Sequence, residues 1–163
     1  MTANNYTVTP GYPYLNAVPY TWADPFRASR ISEVLGSGRR FSVAEMVRLQ
    51  NDELSVPARG LVPLLRDLTI GDAASRKARD TLLGWNFVLD RDSVAAGIYE
   101  MWQRRVVANV RDALVPRDAL PFITLSMKKT IDWLEAPDGR FTGSSATAAR
   151  DETGSASARR VRA

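Results

Sequence analysis

From residue 26 to residue 134, apolar side chains recur every three or four positions, and that spacing predicts a run of helices. Asp24-Pro25 reads as a helix start, with Asp as N-cap and Pro at the first helical position. Phe26, Ile31, Val34 and Leu35 supply its apolar side, and Gly36 and Gly38 end it. Ser42 with Glu45 three residues on forms a capping box for a helix that continues through Met46, Val47, Leu49 and Gln50. Pro57 opens another, with a stripe of Leu61, Leu64, Leu65 and Leu68; Pro63 inside it should kink it. Asp72 caps the next, whose predicted face is Ala74, Ala78 and Leu82; Gly84 stops it and Trp85 packs beyond. Asp92-Ser93 begins the longest helix, with a predicted stripe of Val94, Ile98, Met101/Trp102 and Arg105/Val106, up to about Val110. Pro116 and Pro121 mark a loop, and Met127, Thr130/Ile131 and Leu134, with Trp133, form a last helix.

The two ends break this pattern. Residues 1–24 read as an extended opening, in which Tyr6, Thr7, Val8 and Thr9 have strand composition. Pro10, Gly11, Pro13 and Pro19 then interrupt any regular element. Five aromatics (Tyr6, Tyr12, Tyr14, Tyr20 and Trp22) crowd this stretch, which suits a loop lying against a larger body. From Pro137 the chain turns small, polar and basic, too poor in apolar surface to offset its ordering entropy. The expected organisation is a strand and aromatic loop over 1–24, a helical region over 25–136 and a mostly disordered tail over 137–163. The fold class is mainly α with a short N-terminal strand.

Composition narrows the chemistry. A chain of 163 residues suits one domain or one piece of a larger one. It has no cysteine, which excludes disulfide scaffolds, thiolate zinc sites and cysteine nucleophiles. It has no histidine, which excludes a Ser-His-Asp triad and the commonest general base near neutral pH. The net charge of +4 comes from 22 basic and 18 acidic residues. The basic ones are scattered, with a tight group only at Arg159, Arg160 and Arg162, so no nucleic-acid partner is expected. No apolar run approaches the roughly 18–20 residues of a membrane span, so no membrane partner is expected either. The N-terminus lacks the basic and apolar regions of a signal peptide, and by default the chain would stay in the cytoplasm.

Most remaining polar residues read as structural. Glu33, Glu45, Asp52, Glu53 and Asp67 sit on polar faces or in caps, and Ser55 and Ser93 at helix starts. Ser126 and Lys129 could be forced into a dyad, but Lys128-Lys129 has the look of a helix surface. Trp22, Trp85, Trp102 and Trp133 are spaced as core or interface anchors. The informative segment is Asn4-Asn5, followed 23 positions after Asn4 by Arg27 in the first turn of a helix. An Asn amide can donate to a developing oxyanion, and an Arg fork can orient such an amide. On composition alone, the reading that the two Asn residues satisfy a turn and Arg27 is a surface charge is the favoured one.

The order of motifs resembles the later part of the β-subunit of the penicillin acylase (penicillin amidase) family, among the N-terminal nucleophile hydrolases. The residues that carry the resemblance begin with Thr2-Ala3-Asn4-Asn5, Tyr12-Pro13-Tyr14, Trp22-Ala23-Asp24-Pro25-Phe26-Arg27-Ala28-Ser29-Arg30-Ile31 and Phe41-Ser42-Val43-Ala44-Glu45-Met46. They continue through Ser55-Val56-Pro57-Ala58-Arg59, Leu61-Val62-Pro63-Leu64-Leu65, Leu83-Gly84-Trp85-Asn86, Asp92-Ser93-Val94-Ala95-Ala96 and Met101-Trp102-Gln103-Arg104-Arg105. Together they cover about residues 2–150.

The resemblance implies a fragment of the αββα fold of those hydrolases. In that family a Ser at the start of the β-subunit attacks an amide carbonyl, with its own α-amino group as general base, a chemistry that needs no histidine. By resemblance Asn4 takes the place of the oxyanion-hole asparagine and Arg27 that of the arginine that orients it. Asn16 falls near an aspartate that some members use to bind a structural calcium ion; a neutral amide is a weaker ligand, which counts against calcium here. No other cofactor is implied.

The family's nucleophilic Ser and much of its acyl pocket precede the Thr2–Asn5 segment. The expected partners are therefore the remainder of an acylase, its α-subunit and the N-terminal part of its β-subunit, and a small acylated amide such as a β-lactam side chain or an acyl-homoserine lactone. Family members are commonly periplasmic or extracellular. Met1 stands where the family usually has an apolar strand residue, so the chain is expected to start inside the β-subunit. Beyond Glu152 the family's amphipathic helix gives way to Thr153-Gly154-Ser155-Ala156-Ser157, which suggests truncation or a frameshift. Thr2, exposed by removal of Met1, could in principle act as a nucleophile, but it lies on the oxyanion segment. The competing reading is a non-catalytic remnant or a helical binding module.

Overall fold

A computed structural model of the chain describes residues 3–18 and 22–136. Thr2, Pro19, Tyr20 and the tail expected to be disordered over 137–163 lie outside the described residues. Two compact units divide the chain, Met1–Asp52 and Glu53–Ala163. The described residues are mainly helical, as the periodicity predicts, with six α-helices and three short 3₁₀ segments. None of these helices is long and apolar enough to cross a membrane.

The strand expected at Tyr6–Thr9 does not form. Residues 3–5 bend, 6–9 are irregular, and no strand occurs among the described residues. Strand composition alone does not make a strand: the backbone needs a neighbour to pair with. These residues find none here. Among the described residues, backbone pairing of the β type is confined to one antiparallel bridge, Leu54 with Val88, flanked by Ser55 N–H to Phe87 O at 2.8 Å and Leu89 N–H to Glu53 O at 2.9 Å.

In the first unit, Leu15–Ala17 forms a 3₁₀ turn. Helix α1 spans Phe26–Leu35 and α2 spans Val43–Gln50. Pro25 occupies the cap position of α1, one place earlier than the first helical position expected for it, and Gly36 ends the helix. The capping box of α2 is complete. Glu45 N–H donates to Ser42 Oγ at 3.3 Å, and Ser42 N–H to Glu45 Oε2 at 2.8 Å. Arg39 pairs with the same carboxylate, and its guanidinium lies 4.1 Å over the Phe41 ring.

The Ser42 backbone N–H, and then Arg39, hold the Glu45 carboxyl down to about 2 from its usual 4.5. A carboxyl depressed on folding contributes stability above its unfolded pKa, and that contribution is lost as pH falls through the folded value. The α2 N-terminus should therefore loosen between about pH 4.5 and about pH 2. Glu45→Gln should be less stable than the native chain near neutral pH, and the gap should close at about pH 2. Urea midpoints at the two pH values measure it, and a gap that stays constant would contradict it.

The second unit holds most of the core. Helices α3 (Val56–Leu61), α4 (Ala73–Leu83), α5 (Val94–Leu114) and α6 (Met127–Glu135) pack around Leu61, Val62, Val106 and Val110, each at most 1% exposed. Pro57 sits in the first turn of α3, and at Val62–Leu65, around Pro63, the helix tightens into a 3₁₀ turn. Asp72 Oδ1 accepts from Ser75 N–H, Ser93 Oγ from Ala96 N–H and Ser126 Oγ from Lys129 N–H, so α4, α5 and α6 are all side-chain capped. In α6 the expected stripe is buried: Thr130, Ile131 and Leu134.

Two helix faces differ from expectation. In α4 Ser75 and Leu82 are buried while Ala74 is exposed. In α5 the buried stripe is Ala95, Ala96, Tyr99, Val106 and Val110, whereas Val94 and Met101 are 73% and 76% exposed. The small alanines let α5 approach its neighbours closely. Tyr99 fills the space next to them, its ring 5.3 Å from Trp85 and 6.4 Å from Trp102. Burial pushes its hydroxyl pKa up to about 12, with the nearby Ser55 hydroxyl offsetting part of the shift.

Gly97 lies on the exposed side of α5, where an added Cβ would meet nothing within 4 Å. Gly97→Ala should stabilise the second unit by about 0.5–1 kcal/mol through the lower backbone entropy of the unfolded chain and better helix propensity. Thermal unfolding of the two proteins measures it; a lower Tm for the alanine variant would mean this side of α5 is not open.

Candidate functional site

The first unit brings Asn4 and Arg27 together. Ala3 is buried, and the chain bends over Ala3–Asn5. Asn5 holds the bend: its Oδ1 accepts from Ala3 N–H at 2.9 Å, and its Nδ2 donates to Tyr6 O at 3.0 Å. Ala23 N–H donates to Asn4 O at 3.0 Å and ties the bend to the segment that leads into α1. Asn4 itself has φ 60°, a left-handed conformation that Asn tolerates better than most residues.

Arg27 reaches this bend from the first turn of α1. Its Nη2 donates to Ala3 O at 3.0 Å and also to Asn4 Oδ1. The contact fixes the amide orientation, since a guanidinium can only donate and must face the carbonyl end. Asn4 Nδ2 donates to no acceptor among the described residues, and the residue is exposed. The arrangement is an N–H donor held in place by a charged fork on a helix. Beside it, Tyr6 and Trp22 meet edge to face at 5.4 Å.

Arg30, one turn further along α1, looks elsewhere. Its Nε and Nη2 bind Asp52 Oδ2 at 3.1 and 2.6 Å, and its Nη1 binds Glu33 Oε1 at 3.0 Å. Donation to the Asp52 carboxylate is the main cause that raises the Arg30 pKa. This network anchors α1, the support of Arg27, to the end of the unit. Asn5 fills the turn role open to it from the sequence, whereas the pairing of Arg30 with Asp52 was not expected. Two adjacent Asn residues are a turn signal that points to Asn5; nothing in the spacing pairs Arg30 with Asp52.

Asn16 is exposed on the Leu15–Ala17 turn, and no group of three His, Cys, Asp or Glu side chains converges among the described residues. Calcium takes six to eight oxygen ligands, of which Asn16 could supply only one. Ser126 caps α6 and makes no dyad with the Lys129 side chain, whose backbone N–H it accepts. In the second unit a cavity of about 330 Å³ is lined by apolar residues including Leu61, Leu64, Trp102, Val106 and Leu134. Asp67 is its one charged lining residue, too little to orient a reacting group.

An exposed amide donor aligned by arginine, on a helical chain without histidine or cysteine, suits a hydrolase whose nucleophile needs neither. The chain matches the penicillin amidase family over residues 1–162, and it belongs to that family of N-terminal nucleophile hydrolases. It is also 31% identical over 128 residues to Penicillin acylase 2 proenzyme of Pseudomonas sp. (strain SE83). That match covers 75% of this chain and 16% of the relative's length.

Proposed function

We propose that the chain supplies Asn4 and Arg27 to the active site of an N-acyl amide hydrolase, a penicillin-acylase-like enzyme assembled with polypeptide beyond these 163 residues. The contact from Arg27 Nη2 to Asn4 Oδ1 carries the reading, because it leaves the amide N–H₂ outward where a substrate oxygen could sit. In the reaction a Ser hydroxyl from the remaining polypeptide attacks the amide carbon, and its α-amino group takes the proton. The carbonyl oxygen gains negative charge, and Asn4 Nδ2–H stabilises it. As the tetrahedral intermediate collapses, the C–N bond breaks and the α-ammonium passes its proton to the leaving amine; water then hydrolyses the acyl ester, which releases the acid and restores the Ser hydroxyl.

Pre-alignment is what makes the donor useful, since an amide that reorients during reaction loses much of its benefit. Arg27 provides it from a helix, a stiffer support than a loop. In the assembled αββα fold, residues 3–9 would gain the strand neighbours they lack here. The substrate class is an acylated amine such as a β-lactam side chain or an acyl-homoserine lactone. Calcium has no part in this reading.

The 163-residue chain by itself should not hydrolyse an N-acyl chromogenic amide above the buffer rate. An intact penicillin amidase that carries residues 2–31 of this chain in place of its own should do so. Turnover by the isolated chain, abolished by Thr2→Val, would instead make Thr2 the nucleophile. A graft that is folded but inactive would remove the support for Asn4.

A further inference from the structure

Helix α2 is capped but buries no residue. Val43 is 82% exposed, Val47 51% and Met46 38%. With Gln50, also exposed, they stand at i, i+3, i+4 and i+7, which places all four on one face without a charged side chain. Glu45 and Arg48 lie on the other side of the helix, where Glu45 is taken up by the capping box and Arg39.

Eight residues are too few for a helix to persist on propensity alone; such helices depend on packing of their apolar face. The first unit offers little to pack against: among its described residues the buried apolar ones are Ala3 and Ala28. Anchors at i, i+3, i+4 and i+7 are also the way an amphipathic helix lies in an apolar groove.

We propose that the Val43–Met46–Val47 face of α2 is a docking surface for an uncharged apolar segment of the same acylase, drawn from the polypeptide beyond these 163 residues. The inference rests on the reading that the chain works within a larger amidase. The occupant follows from proportion and chemistry. The matched relative is so much longer that this chain covers only 16% of it, so most of such a protein is available to cover the face. The face carries no charge, so a charged partner would be desolvated against it without compensation.

Two measurements test the surface without reference to catalysis. In the isolated chain, the double variant Val43→Glu with Val47→Glu should lose at least about half of the fluorescence of a bound hydrophobic dye, because it charges the exposed patch and spares the capping box. Unchanged dye binding would overturn the proposal. Amide exchange of residues 43–50 should then be compared between the isolated chain and a chimera. The chimera is the SE83 relative with its matched segment replaced by this chain. Protection should rise about 100-fold or more in the chimera, since cover removes local opening. Equal protection in both, or protection in the isolated chain that rises with its concentration, would overturn it, the latter in favour of a second copy. An inactive chimera with a protected α2 would refute the catalytic reading while leaving the surface in place.

Discussion

Asn4→Gly, introduced into a penicillin amidase carrying residues 2–31 of this chain, should lower kcat by about 10²–10³-fold, or roughly 3–4 kcal/mol. Glycine is the informative replacement because Asn4 sits at φ 60°. Alanine would remove the amide and also strain the backbone; glycine adopts that conformation freely and removes only the side chain. Asn4→Asp offers a second arm. A carboxylate keeps an acceptor for Arg27 but has no N–H to offer an oxyanion, so it should lose at least as much rate. If Asn4 merely held the bend, the glycine variant would keep nearly full activity. A loss under about threefold would sink the oxyanion assignment.

Leu61→Ala should cost the second unit about 2–5 kcal/mol of unfolding free energy. Leu61 is 1% exposed in α3 and already borders the cavity of about 330 Å³. Truncation would enlarge a void whose walls are held by α5, α6 and the 3₁₀ turn at Pro63, so collapse onto the gap is restricted. Val94→Ala on the exposed side of α5 is the control and should change stability by less than about 0.5 kcal/mol. Urea unfolding followed by circular dichroism gives both values. Similar costs for the two variants would mean that α5 buries its other face.

That comparison bears on what the residues revealed in advance. Caps were legible because their chemistry is local: Ser42 with Glu45, Asp72 and Ser93 each act within three residues, whereas the cap at Ser126 was not read from the sequence. The face of α5 was not. Val106 and Val110, on the expected stripe, are buried, but in the first turns Val94 and Ile98 have the same period as Ala95 and Tyr99, one position over, and the latter pair is the buried one. Periodicity gives a stripe but not its phase when both sides are apolar, and two alanines register weakly as core although they permit the closest packing. The strand at Tyr6–Thr9 failed for a different reason: β pairing is non-local, and no partner stands beside it. The nearness of Arg27 and Asn4 depends on how the loop between them turns, so spacing alone did not give it; the family resemblance did. Arg30 with Asp52, 22 residues apart, had no such guide.

The aromatic pairs also give each unit its own optical signal. In the first unit Trp22 is partly exposed and meets Tyr6 edge to face. In the second, Trp85 is 8% exposed, its indole N–H donates to Val88 O at 3.1 Å, and Tyr99 lies against it. A shielded indole emits at shorter wavelength than a wet one, and an adjacent tyrosine can pass its excitation to it. Loosening of the first unit would therefore leave the blue edge of the emission intact, while melting of the second would shift it red and restore tyrosine emission. With Trp22→Phe and Trp85→Phe as references, one titration would follow the two units separately, with no label attached.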